Sequence, residues 1–76
     1  MPNASSLKPS VGALALERAT VVIARTGISR SELYRKIALG QFPAPIKLGQ
    51  RSSAWIVEEV DSWIRKRAES RQAVRQ

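Results

Sequence analysis

The chain contains no cysteine and no histidine among its 76 residues. Those two absences remove disulfides, thiolate and imidazole metal ligands, and the Ser-His and Cys-His pairs that activate a nucleophile. Acidic residues are scarce. Six Asp and Glu stand against 13 Lys and Arg, a formal charge of +7, which on so small a body favours polyanions or anionic surfaces. Long hydrophobic runs are missing too: none approaches the roughly 20 residues that span a bilayer. Met1 to Leu16 also lacks the basic start and apolar centre of a signal peptide. The chain is therefore expected to be soluble, with no membrane partner. Its length admits one small domain with a thin core and no deep catalytic cleft, so it is not expected to be an enzyme, and neither metal nor cofactor is expected.

What is present is concentrated between Ala24 and Trp55, ARTGISRSELYRKIALGQFPAPIKLGQRSSAW, which reads as a helix-turn-helix running into a basic β-hairpin. Gly27 sits where a helix C-terminus commonly needs a left-handed residue. Ser29 then caps a second helix: its hydroxyl can accept from the amide three residues on, Glu32 can reach back to the Ser29 amide, and Ile28 can staple against Leu33. A first helix, capped by Thr20, is expected through Val21, Val22, Ile23 and Ala24, although β-branched residues favour helix weakly. The second is expected from about Arg30 to Leu39, ending at Gly40. Leu33 and Ile37 lie one turn apart and point inward, which leaves Ser31, Tyr34, Arg35 and Ala38 on the outer side.

Phe42-Pro43-Ala44-Pro45 cannot continue a helix. Beyond it Ile46, Lys47 and Leu48 alternate as a half-buried strand would, Gly49 to Ser53 supplies turn residues, and Ala54, Trp55 and Ile56 return. From about Val57, the residues Val57, Val60, Trp63 and Ile64 recur at helical spacing. Acids at the start and bases further on match the helix dipole. Leu14 and Leu16 suggest a short extended lead-in. The expected organisation is a disordered arm over residues 1–12, a domain over 13–69, and a frayed basic tail over 70–76. The expected fold is mostly α with a small β-hairpin, a winged helix-turn-helix.

The segment from Ala24 to Ile64 resembles the AlpA family of small phage and prophage regulators, a branch related to MerR-like winged helix-turn-helix domains and to phage excisionases. TGISRSELYR, FPAPIKLGQR and the W-x(4)-VDSW spacing from Trp55 to Trp63 carry the likeness, and their order makes it specific. The lead-in departs from the pattern at Ala19 and Val21. The resemblance implies sequence-specific binding of double-stranded DNA without a cofactor, in the bacterial cytoplasm and on the nucleoid when bound. It implies a second helix in the major groove, with Arg30, Ser31, Tyr34 and Arg35 closest to bases and phosphates, and amides at the helix start near Ser29 for a phosphate. Arg25 and Lys36 belong to the same basic stretch, in which six bases accompany one acid, Glu32. Lys47 and Arg51 flank the wing turn and suit the DNA backbone or minor groove.

Each assignment has a plainer counterpart. The helix face can be merely solvated, Tyr34 can pack over the wing, and wing charges can keep an edge strand from pairing. Trp55 and Trp63 suit the core better than base stacking. Glu58 and Asp61 share a helix face, but two carboxylates bind a cation weakly. The basic run Arg65, Lys66, Arg67 and Arg71 reads equally as solvated surface or as extra phosphate contact. At the level of function, the alternatives to a transcriptional regulator are an excisionase that bends DNA for an integrase, and a basic membrane- or protein-binding peptide. The implied partners are DNA, with an integrase or RNA polymerase as candidates. A second copy on an adjacent site is a further candidate, since the short apolar face of the last helix offers little dimer surface.

Overall fold

The computed structural model describes residues 14–74; the expected arm over residues 1–12 lies outside the described residues. In chain order the elements are β1 (Leu16–Glu17), α1 (Ala19–Thr26), α2 (Arg30–Ala38), β2 (Ile46–Gly49), β3 (Ser52–Ile56) and α3 (Val57–Val74). This is a mostly helical chain with a small antiparallel sheet, compatible with a winged helix-turn-helix. The extended lead-in is β1, which pairs Leu16 with Ile56 and Glu17 with Trp55.

The first helix begins earlier than its sequence suggests. Arg18, not Thr20, is its N-cap, with extended backbone and no side-chain capping bond; its carbonyl accepts from the amides of Val21 and Val22, both at 3.0 Å. Pairing of Glu17 on the sheet fixes the chain up to Arg18, so the helix starts at once. The β-branched run persists because Val22 is fully buried, and packing of one face outweighs weak propensity. Gly27 ends α1 at φ 78°, its amide donating to the Ile23 carbonyl at 2.8 Å.

Ser29 caps α2 as expected, its hydroxyl accepting from the Glu32 amide at 3.1 Å. Ile28 and Leu33 both join the core. The reciprocal bond, from the Ser29 amide to the Glu32 carboxylate, is not among those formed. Glu32 accepts from Arg35 instead, because a charge-assisted bond outcompetes a neutral amide. At the other end Gly40, at φ 75°, closes a paired 5→2 and 6→1 motif: its amide donates to Ile37 and that of Gln41 to Lys36.

The proline bridge is held by the two tryptophans. Prolines donate nothing, yet the bridge carbonyls accept: the Trp55 indole donates to Pro43 at 3.0 Å and the Trp63 indole to Gln41 at 2.9 Å. Phe42 turns inward, edge-on to Trp63 at 4.9 Å between centroids. The core is Val22, Leu33, Phe42, Trp55 and Val60, with Trp63 and Ile64 partly buried against it.

The strand order is β1-β3-β2, and the turn of the wing is tighter than Gly49 to Ser53, since β3 starts at Ser52. The half-buried reading of β2 does not hold: Ile46 is 40% and Leu48 52% exposed. As the edge strand, β2 rests mainly on β3, and it is β3 that the helices cover. A register shift between Lys47 and Gly49 bends the edge, a device that discourages pairing with other chains. Helix α3 follows β3 without a loop and continues through Val74, past Ser70 where fraying is expected. Arg65 to Val74 contains neither Gly nor Pro and is rich in helix-forming residues.

Candidate nucleic-acid interface

Burial of Leu33 orients α2, and the residues between its inward positions are thereby presented outward. Arg30, Ser31, Tyr34 and Arg35 are all exposed. They do not stand equally free. The Arg35 guanidinium donates to Glu32 at 2.7 Å, and the Lys36 ammonium lies 3.7 Å from the same carboxylate. Hydrogen bonding from Arg35, ahead of the charge of Lys36, holds the Glu32 carboxyl below its usual value, and the same bond raises the Arg35 guanidinium. A lowered acid contributes stability above its unfolded value and loses it as pH falls through the lower folded value, so the pair is intact at neutral pH. Its exposure makes it weak and readily exchanged for another anion. Ser29 commits its hydroxyl to the cap, and Lys47 donates to the Gln50 carbonyl at 3.3 Å, across the wing turn.

Tyr34 packs over the wing, as its plainer reading has it, and stays accessible. Its ring packs edge-on against Trp55 of β3 at 6.2 Å while 44% of the residue stays exposed. Its neighbours form a groove of about 390 Å³ lined by Arg18, Thr20, Arg30, Tyr34, Arg51 and Ser53, together with Ala19. The start of α1, the start of α2 and the wing thus converge, bringing Arg30, Tyr34 and Arg51 together. Arg18 and Thr20 were not legible as part of this site. Arg18 precedes the helix-turn-helix, and only the pairing of β1 with β3 carries it beside the wing.

Arg25 is differently placed. Its guanidinium donates to Glu17 at 2.9 Å and to Asp61 at 2.8 Å, tying β1, α1 and α3 together. Bonds to Glu17 first, then Asp61, raise its pKa further. Asp61 therefore serves this tie. A larger concavity of about 990 Å³ lies between the proline bridge and α3, where Glu58, Glu59 and Asp61 join Arg65 and Lys66. Its carboxylates suit a polyanion poorly. Arg67 stacks over Trp63, 5.0 Å from the ring centroid, which occupies one member of the C-terminal basic run. Among the described residues no three His, Cys, Asp or Glu side chains group as metal ligands, and no helix is long and apolar enough to cross a membrane.

Comparison with known proteins adds to this geometry. The sequence profile of the family described as prophage CP4-57 regulatory protein (AlpA) matches residues 15–68, from the first strand to well into α3. An uncharacterized protein of enterobacteria phage P4, ORF88, is 42% identical over 38 residues, a stretch covering 50% of this chain and 43% of that protein. The chain thus aligns with less than half the length of this relative. No solved structure matches the chain.

Proposed function

The chain belongs to the AlpA family of prophage regulatory proteins, and we propose that it regulates phage or prophage genes by binding duplex DNA at specific sites. The observation that carries this reading is the convergence of Arg30 and Tyr34 of α2 with Arg51 of the wing on one groove. A helix with an exposed, basic outer face beside a basic hairpin fits a major groove and its flanking backbone. In this reading α2 supplies base contacts from Ser31, Tyr34 and Arg35, while Lys47 and Arg51 hold the phosphates. Domain limits near residues 13 and 69 and a bacterial cytoplasmic location go with it. A single chain occupies one site, because beyond Ile64 the side chains of α3 through Arg71 are exposed and offer no apolar seam.

The test is a salt titration on the tightest duplex recovered from a random-sequence pool. With about five phosphates neutralised, the slope of log affinity against log salt is expected near −4.5. A slope near zero, or a pool that yields no preferred sequence, contradicts sequence-specific DNA binding.

A further inference from the structure

The basic side chains of the lead-in, the helix-turn-helix and the wing differ in their partners. Arg25, Arg35 and Lys36 each lie beside a carboxylate of the protein. Among the described residues Arg18, Arg30 and Arg51 form no such pair, and these three come from three different elements yet line the same groove. Three guanidiniums brought together without a counter-ion repel one another, an arrangement that favours a bound anion. Besides Ala19, the remaining lining offers donors: the Thr20 and Ser53 hydroxyls and the Tyr34 phenol.

The start of α1 faces the same space. Its first turn carries no acid, in contrast to Glu32 in α2 and Glu58 and Glu59 in α3, and its N-cap makes no side-chain bond. The Ala19 and Thr20 amides precede the first intrahelical donors and so have no partner within the helix. Donors thus approach the groove from the lead-in, from both helices of the helix-turn-helix and from the wing.

We infer that this groove seats one phosphodiester phosphate of the bound duplex, held jointly by Arg18, Arg30 and Arg51. The inference rests on the DNA-binding reading above and adds Arg18 to the interface. One shared phosphate fixes the distance between the reading helix and the wing. The groove is therefore the register point of the complex, and α1 is part of the interface as well as a support for α2. Arginine suits the role because its fork donates two bonds to a phosphate.

The experiment uses the full chain and the tightest duplex from the random pool, with single neutral methylphosphonate linkages placed in turn along each strand. Arg18→Ala and Arg51→Ala are each expected to weaken binding about tenfold, as the loss of a charge-assisted bond does, and each to reduce the salt slope by about one unit. One methylphosphonate position should weaken the wild-type protein and cost each variant less than it costs the wild type, since one of the three guanidiniums on that phosphate is already gone. The double variant should lose less than the product of the single losses. Arg65→Ala, on α3 outside the groove, controls for net charge. Thermal melts confirm that all variants fold, since each of these arginines is exposed. If the wild type binds with the expected salt slope but Arg18→Ala behaves like Arg65→Ala, or no linkage is shared by Arg18 and Arg51, the inference is overturned while the DNA-binding reading stands. If the wild type binds no duplex, both fall. If inorganic phosphate at matched ionic strength displaces the duplex, the groove is a site for free anions, which also overturns the assignment to a backbone phosphate.

Discussion

A guanidinium that already donates to two carboxylates has little left for a phosphate, and Arg25 is in that position. Its partner Glu17 is nearly buried, with a side chain 9% exposed, so removal of Arg25 leaves a carboxylate without its counter-charge. Arg25→Ala is expected to destabilise the fold on the order of 1 kcal/mol, lowering Tm by about 4–8 °C in a domain of this size. The modest size reflects the one-third exposure of Arg25. Once folded, the variant should keep the DNA salt slope of the parent; a slope shallower by a full unit with an unchanged melt would make Arg25 a phosphate contact instead. Sequence spacing counted Arg25 with the other bases of the helix-turn-helix, because nothing local reveals a partner such as Asp61, 36 positions away. Ser29 and Arg30 were easier to place. A cap is local, and the face of a short helix follows once one inward residue is known.

Among the elements, α2 has the clearest sequence signature, since a Gly-Ile-Ser start, an apolar pair one turn apart and a terminal Gly each correspond to a feature of the structure. Leu33, fully buried, holds its orientation. Leu33→Ala is expected to cost about 2 to 5 kcal/mol, a large share of the stability of a small domain, and to weaken DNA binding only as far as it unfolds the chain. An unchanged thermal melt would mean that the inward face of α2 is misassigned. The wing was legible in position but not in burial. Alternation of Ile46, Lys47 and Leu48 looks the same whether a strand is central or at an edge, and the strand order decides which. The bridge was legible only as a helix stop. That its carbonyls accept from two indoles depends on Trp55 and Trp63 meeting it from β3 and α3, which is tertiary information.

In the whole molecule, charge and architecture divide the work. Among the described residues Arg18, Arg30 and Arg51, which pair with no carboxylate, gather where α1, α2 and the wing meet, and the acids Glu58, Glu59 and Asp61 line a separate concavity beside α3 together with Arg65 and Lys66. In the proposed function, such an arrangement orients the protein on DNA before any base is read. Reading and holding fall, in the proposed docking, to different side chains. The Arg35 side chain, 60% exposed on α2, can exchange its weak pairing with Glu32 for a base edge. Lys47 and Arg51 belong to a hairpin suited to the backbone. The measurement that tests this division most directly compares Arg35→Ala with Lys47→Ala and Arg51→Ala on the selected duplex and on a scrambled one across a salt series. Arg35→Ala is expected to lower the preference for the selected sequence by about 1 to 3 kcal/mol, and the wing variants to weaken both duplexes by similar factors, with a salt slope reduced by about one unit. Preference retained in Arg35→Ala but lost in the wing variants would show that α2 is not the reader, and would contradict the docking proposed for this protein.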